Sequence, residues 1–357
     1  LENVKGVQLT TSSLNFKVPN TRGFNSPNNF RFMQLVDGVD IQAPTLGVSI
    51  GNTIGPNELD IRSIEIIPGS SSALYGINSV NGLANLQTKN PYLSQGVSVY
   101  QRLGVNHIDN LDHGVSFMSE SAFRIAGTID TAGRFAYKVN FSYFKGVDWV
   151  SSSGNDQNPY ELKSSNPKFP VFNSPDNNPA YDAWNRYGDE RNNNVSVQVV
   201  DPAGKTQTFN VRRTGYWERD LVNPEIENLK FDAGLYYKFN DKTQISYIYR
   251  AGRMDGVFQR GNKIQLNNLF LQNHSVEFKT EKLTIKTYVN FENTGDSYNL
   301  KPLADNLDLS YKSNSKWKTD YQTALQTAIL GGADWATAHQ RARDAAVLSR
   351  GDGDARP

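Results

Sequence analysis

The sequence predicts a mainly β protein, with a small mixed α+β unit leading into long antiparallel strands. Three observations carry this. Four short elements follow one another closely between Gln34 and Pro91. Beyond Pro91, apolar and polar residues alternate with period two through seven stretches. The connections between those stretches are by turns very tight and very long.

The mixed unit opens on QLVDGVD. Leu35 and Val36 enter a hairpin, Asp37-Gly38 turn it, and Val39 and Ile41 leave. Asp-Gly between apolar runs is a strong hairpin signal, because a type I′ turn needs positive φ at both central residues. A strand from Ile61 to Ile67 follows and ends at Pro68-Gly69. Ser70 to Tyr75 reads as a short helix capped by Ser70 and stopped by Gly76. Leu83 to Lys89 is a further strand. Pro56 is placed to start a helical turn over Gly55 to Asp60. Residues 1 to 33 are polar and Asn-rich and read as loops and edge strands.

The alternating stretches lie near Val97–Val105, Phe123–Asp130, Phe135–Tyr143, Leu229–Phe239, Gln244–Arg250, Ser275–Lys279 and Leu283–Phe291. Several approach the roughly 9–11 residues that a tilted membrane strand needs. Thr131–Gly133, Asn240–Lys242 and Thr280–Lys282 are tight turns. Asn106–Ser119, Gly146–Asn228 and Gly252–Phe270 are long links. Short turns on one side and long loops on the other are the pattern of outer-membrane barrels. Phe135, Val139, Phe141, Leu235, Phe239, Ile285 and Val289 are then expected to face lipid, and Lys138, Asp232, Arg250, Lys286 and Glu292 the interior. The Gly146–Asn228 link is rich in Asn, Pro, Ser and aromatics, and Thr319–Arg350 reads as a helical pair broken at Gly331-Gly332.

Composition excludes several classes. Lys plus Arg number 37 against 36 Asp plus Glu, a net charge of +1 over 357 residues, which gives no footprint for nucleic acid. There is no cysteine, so disulfides and thiolate metal sites are excluded. No apolar run is long enough for a transmembrane helix. The four histidines, His107, His113, His274 and His339, form no ligand pattern, and no metal or cofactor is expected. Gly69 to Gly76 lacks the GK[ST] ending of a phosphate loop. No Ser, His and Asp grouping stands out, so no catalytic residue is proposed.

The run LVDGV, a strand ending IEI-x-x-G, then S-ALYG, then N-G-L-x-N-L-x-TK is similar to the second half of the plug domain of TonB-dependent outer-membrane receptors. Thr21-Arg22-Gly23 matches the RG that precedes that hairpin in the family. Pro68 stands where a basic residue is usual, and Asn81-Gly82 replaces a Gly-Gly pair; neither change removes a residue the turns need. The resemblance implies a plug over residues 1–93, then antiparallel membrane β-barrel strands with long outer loops over 94–357. Seven strands are odd and too few to close around a plug. An incomplete barrel, seen as an open sheet, and a chain that is a fragment of a longer protein are therefore expected. The family's contact box for its energy partner is not among these residues.

The resemblance further implies a receptor and transporter in the outer membrane of a Gram-negative bacterium. Its partners would be the TonB energy-transducing complex, membrane lipid and a surface lipoprotein. Its ligand would be a glycan, peptide, iron chelate or cobalamin, and it would not be an enzyme. The motif residues carried over are Arg22, Gly23, Asp37, Gly38, Glu65, Gly69, Tyr75, Gly76, Asn81 and Gly82, with structural and gating roles. Ligand contact is expected from Trp149, Tyr181, Trp184, Tyr187 and Trp217, and from the tip between Ala43 and Asn57. Two other classes fit parts of the pattern. A secreted β-rich carbohydrate-binding or adhesin module would explain the alternation alone. A soluble carbohydrate-active enzyme would need a carboxylate pair that is not identifiable here.

Overall fold

Asp37 and Gly38 adopt φ of 52° and 77° in the computed structural model, the two positive angles of a type I′ turn. The structure describes residues 4–23, 31–46, 53–76, 78–106, 114–157, 178–188, 195–259 and 263–347. The chain divides into two compact units, Leu1–Trp149 with Pro224–Tyr298, and Val150–Asn223 with Asn299–Pro357.

The first unit begins with an antiparallel pair, β1 (Val7–Thr11) and β2 (Lys17–Thr21). The Asp-Gly turn joins β3 (Met33–Val36) to β4 (Val39–Asp40). β5 (Ile61–Ile67), the helix α1 (Ser72–Tyr75) and β6 (Leu83–Thr88) follow. The sheet order is β4-β3-β6-β5, with β3 parallel and β5 antiparallel to β6. Two local expectations are corrected. The residue before α1 is Ser71, not Ser70, and it makes no side-chain cap; the turn is set instead by Ser71 N–H donating to the Ser79 carbonyl at 2.9 Å. The helical turn near Pro56 is a single 3-10 turn, Glu58–Asp60, entered from Asn57. Asn57 is drawn away by wall carbonyls, described below.

The long strands are β7 (Gly96–Asn106), β8 (Ser116–Thr128), β9 (Phe135–Val147), β14 (Glu225–Asn240), β15 (Thr243–Phe258), β16 (Ile264–Lys279) and β17 (Thr284–Asn293). They pair antiparallel in the order β17-β16-β15-β14-β9-β8-β7, and the sheet does not close. Their two faces differ sharply. Leu235 is 58% exposed, and Phe135, Phe239, Ile285 and Val289 are also open, whereas Lys138, Asp232 and Arg250 are buried on the opposite face. No helix among the described residues is long and apolar enough to cross a membrane, which says nothing of strands.

The long link expected over Gly252–Phe270 is mostly strand, since β15 runs to Phe258 and β16 starts at Ile264. The apolar residues there change sides. Met254, Phe258, Leu266, Leu269 and Leu271 are buried in one cluster with Phe16, Val36, Ile41, Ala43, Ile54 and Leu86 of the N-terminal sheet domain. Phe16 and Phe258 meet edge to face at 5.2 Å. Arg253 and Asp255 meanwhile pair with each other on the other face at 3.2 Å. The alternation reverses, so it does not read as a membrane strand in sequence.

The second unit lies in what reads as one long loop plus the C-terminal stretch. β10 (Arg186–Tyr187) pairs with β13 (Tyr216–Trp217), and β11 (Val195–Val200) with β12 (Thr206–Val211). Three helices follow, α2 (Leu300–Tyr311), α3 (Asn314–Leu330) and α4 (Trp335–Val347). The helical pair is present, broken at Gly331–Asp334, but α3 starts earlier than expected and α2 precedes it. Ser313 caps α3 through its side chain. Val197, Val199, Phe209 and Val211 pack on Trp317, Tyr321 and Leu325 and on Ala338, Ala342 and Ala346. The alanines leave the close approach that lets two helices cover a two-stranded sheet.

Candidate functional site

The N-terminal sheet domain is held to the inward face of the wall by a buried charge network. Asp60, fully buried at the end of its 3-10 turn, accepts from Arg124 Nε at 2.8 Å and Lys138 Nζ at 2.7 Å. Asn140 Nδ2 bridges Asp60 to Asp232 at 3.3 and 2.9 Å. Arg250 lies 2.9 Å from Asp232 and 2.8 Å from Asp37. Three carboxylates, Asp37, Asp60 and Asp232, thus meet three cations, Arg124, Lys138 and Arg250. Burying such charges is tolerable only when each is paired and hydrogen-bonded. Both Lys138 and Arg124 have further acceptors, Thr88 Oγ1 at 2.7 Å and the Ser94 carbonyl at 2.9 Å.

Neutral contacts extend the interface. Asn57 Nδ2 donates to the carbonyls of Phe123 and Phe141 at 3.1 and 3.2 Å. Asn290 donates to the Asp40 carbonyl at 3.1 Å, and Glu292 accepts from the Thr45 N–H at 2.7 Å. Lys286 donates to the Asp37 carbonyl. Gly252 faces the Thr53 carbonyl so closely that a Cβ there would collide with it.

The motif residues fall into two groups. Asp37 both turns the hairpin and accepts from Thr88 N–H and Oγ1 at 2.8 and 2.9 Å, while Gly38 N–H donates to Asn85. Arg22, Gly69, Asn81 and Gly82 gather around Thr21, while Gly23 follows with φ of 75° in open space. The Arg22 guanidinium lies over Gly69, where a side chain would meet it. Thr21 N–H donates to Asn81 Oδ1 at 3.0 Å, and Gly69 N–H to Thr21 Oγ1 at 3.1 Å. Gly82 has φ of 119° and is crowded by Thr21, Phe32 and Ile67. Tyr75 packs on Met33, Leu35 and Leu83, and Gly76 ends α1 at φ of 89°. Glu65 stands apart, exposed on β5.

A family model described as the TonB-dependent Receptor Plug Domain matches residues 1–83. The chain carries a TonB-dependent receptor plug. A curated relative, the vitamin B12 transporter BtuB of Vibrio vulnificus (strain CMCP6), is 32% identical over 120 residues, which are 34% of this chain and 18% of that protein. Among solved structures, a mutant of the ferric enterobactin receptor PfeA from Pseudomonas aeruginosa is similar at 17% identity and a TM-score of 0.44, over 80% of this chain and 36% of that one. The copper transporter OprC is similar at 12% identity and a TM-score of 0.42, over 80% of this chain and 33% of that one. The plug match over residues 1–83 is followed in the structure by seven long antiparallel strands in one open sheet. The chain spans about a third of the length of these solved structures.

The plug and wall leave most of the expected ligand residues elsewhere. Trp149 belongs to the first unit, and Tyr181, Trp184, Tyr187 and Trp217 to the second. Tyr187 is buried, with its hydroxyl donating to Glu218 at 3.0 Å. The Tyr181 hydroxyl donates to the Gly154 carbonyl at 2.6 Å. The Arg186 and Arg219 guanidiniums lie 4.9 and 5.9 Å from the Trp217 ring. Trp184 is 60% exposed. Six of the fifteen tip residues, 47–52, lie outside the described residues, as do His107 and His113. Among the described residues no cluster of His, Asp or Glu has the makings of a metal site. His274 instead accepts or donates to the Tyr247 hydroxyl at 2.8 Å, and His339 to that of Tyr321 at 2.8 Å.

Sequence reading placed Lys138, Asp232 and Arg250 inward but singled out neither Asp60 nor Arg124. The signal available was a charge at the inward phase of an otherwise apolar-alternating strand, as at Arg124 between Phe123 and Ile125. Nothing marked Asp60 as their common partner.

Proposed function

We propose that this protein is an outer-membrane receptor that imports a scarce nutrient too large for an open pore, using energy from the TonB complex. The buried network between plug and wall supports the reading above all else. A wide barrel must be plugged, and a plug held by paired buried charges leaves only when work is done on it. Uncoupling one such buried ion costs about 3–5 kcal/mol, several times thermal energy. That is consistent with a transporter driven from the periplasm, with no covalent step.

The nutrient classes that fit the family are iron chelates, cobalamin, glycans and peptides. Trp184 and Trp217 are the proposed contacts of the second unit, because flat aromatic faces supply contact area at small entropic cost. A surface lipoprotein is a further proposed partner.

Conductance tests the reading without knowledge of the cargo. The receptor carrying this chain should fractionate with outer membranes and be electrically quiet in planar bilayers. Removing residues 4–88 should open a large, steady conductance. Recovery in a soluble fraction, or an unchanged conductance, would sink the proposal. Alanine at Trp184 and Trp217 together should weaken energised uptake while leaving the barrel assembled.

A further inference from the structure

The inward face of the wall carries a second polar site beside the network. In register, Asn228 opposes Phe144, Lys230 opposes Ser142, and Asp232 opposes Asn140. The third of these rows belongs to the network around Asp60. The first two line a cavity of about 800 Å³ between the plug and strands β8, β9 and β14. That volume lies within the range of small-molecule sites, roughly 300–1,000 Å³.

The cavity has three kinds of surface. Leu14, Met118 and Phe144 give it apolar walls. Lys17, Arg102 and Lys230 bring three positive charges against the two of Glu58 and Glu120. Arg102 lies 3.1 Å from each of these acids. The third surface is neutral and polar. Ser142 and Asn228 are each 2% exposed, and Ser142 Oγ and Asn228 Oδ1 have no hydrogen-bond partner among the described residues. Buried polar atoms are nearly always paired, so two such atoms on one cavity wall point to something that enters it. Asn228 Oδ1 can only accept, Ser142 can accept or donate, and Lys230 donates with a positive charge.

We propose that this cavity is a cargo-holding compartment between plug and wall, selective for an anionic, oxygen-rich group that also carries an N–H or O–H donor. The ammonium of Lys230 pairs the anion, Asn228 and Ser142 take the donor and a neighbouring oxygen, and the apolar walls cover the carbon skeleton. The compartment sits directly beside the Asp60 network, so cargo held there touches the part of the wall that the plug must leave. This deepens the receptor reading and rests on it for the word cargo, though not for the site's polarity.

These 357 residues hold no cysteine, so an introduced thiol is the only one among them, and labelling of the unsubstituted receptor is the background to subtract. Ser142→Cys in isolated outer membranes should react with an anionic methanethiosulfonate, the sulfonatoethyl reagent, about tenfold faster than with the cationic trimethylammonioethyl reagent, as a nearby positive charge dictates. Adding Lys230→Met should abolish the preference, and Lys230→Arg should keep it. Lys230→Gln serves where the Met variant fails to assemble. No reaction with either reagent, beside a labelled exposed control, would overturn the compartment. Equal rates, or faster cationic labelling, would overturn the anion preference. The labelling reads the charge beside residue 142 and the conductance reads whether the plug blocks a pore, so either can succeed where the other fails.

Discussion

Asp60→Asn is the sharpest perturbation of the plug. The change keeps the side chain's size and removes one charge from a set of three acids and three cations. Asp60 is completely buried, and Lys138 and Arg124, its partners at 2.7 and 2.8 Å, are nearly so. Lys138 keeps Thr88 and a longer contact to the Lys89 carbonyl, and Arg124 keeps the Ser94 carbonyl, all neutral acceptors, but neither cation can escape to water. Stranding a buried charge costs about 3–5 kcal/mol, or roughly two to three and a half powers of ten in the ratio of docked to released plug. The comparison is Glu58→Gln. Glu58 pairs with Arg102 at a similar 3.1 Å, but the two side chains are 61% and 51% exposed. Such a pair contributes about 0–1 kcal/mol. The assay is a urea titration of the detergent-purified receptor, with proteolysis of the plug as readout and the barrel as internal standard. Asp60→Asn should release the plug at markedly lower urea, and Glu58→Gln should hardly differ from wild type. Equal midpoints for the two variants would refute the argument that burial makes this network the anchor.

Gly252→Ala should push the wall off the Thr53 carbonyl and cost about 1–3 kcal/mol of plug docking, read in the same titration, since the new Cβ meets backbone rather than a flexible side chain. In the second unit, burial pushes the His339 imidazole down to about 3, with Arg343 adding to the effect. The unfolded chain therefore binds the extra proton first, and stability is lost as pH falls from about 6.5 towards 3. The loss should reach about 2 kcal/mol at pH 5, and His339→Gln should flatten the profile of helical unfolding over that window. Gln326 covers the edge of β11, accepting from Val200 N–H and donating to its carbonyl, both at 2.8 Å. Gln326→Ala should bare that edge, cost about 1–3 kcal/mol for the two bonds, and raise concentration-dependent association seen by light scattering.

Much of the architecture is legible in local sequence, because it rests on local physics. Asp37-Gly38 turns wherever it occurs between apolar runs, since few other residue pairs tolerate two positive φ angles. The phase of Phe135, Lys138, Leu235 and Arg250 follows from the pleat alone. One alternating pattern assigns both faces of a strand, and lipid accepts only the uncharged one. Where that environment ends, the rule ends with it. Over Gly252–Phe258 and Ile264–Phe270 the inward face packs on the plug and the outward face carries Arg253 and Asp255, so the apolar residues switch sides and the strands disappear from view. The same holds for the residues between Gly146 and Asn228, where β11 and β12 find their core only in helices more than a hundred positions later.

The anchor itself belongs wholly to the tertiary structure. Asp60 reaches Arg124 and Lys138 across 64 and 78 positions, and Asp37 reaches Arg250 across 213. The sequence by itself determines that these charges stand at inward phases and in a turn. Which acid meets which cation depends on the register between a small sheet and a large one. No local signal encodes that register. In the observed register each of the six charges has an opposite charge beside it.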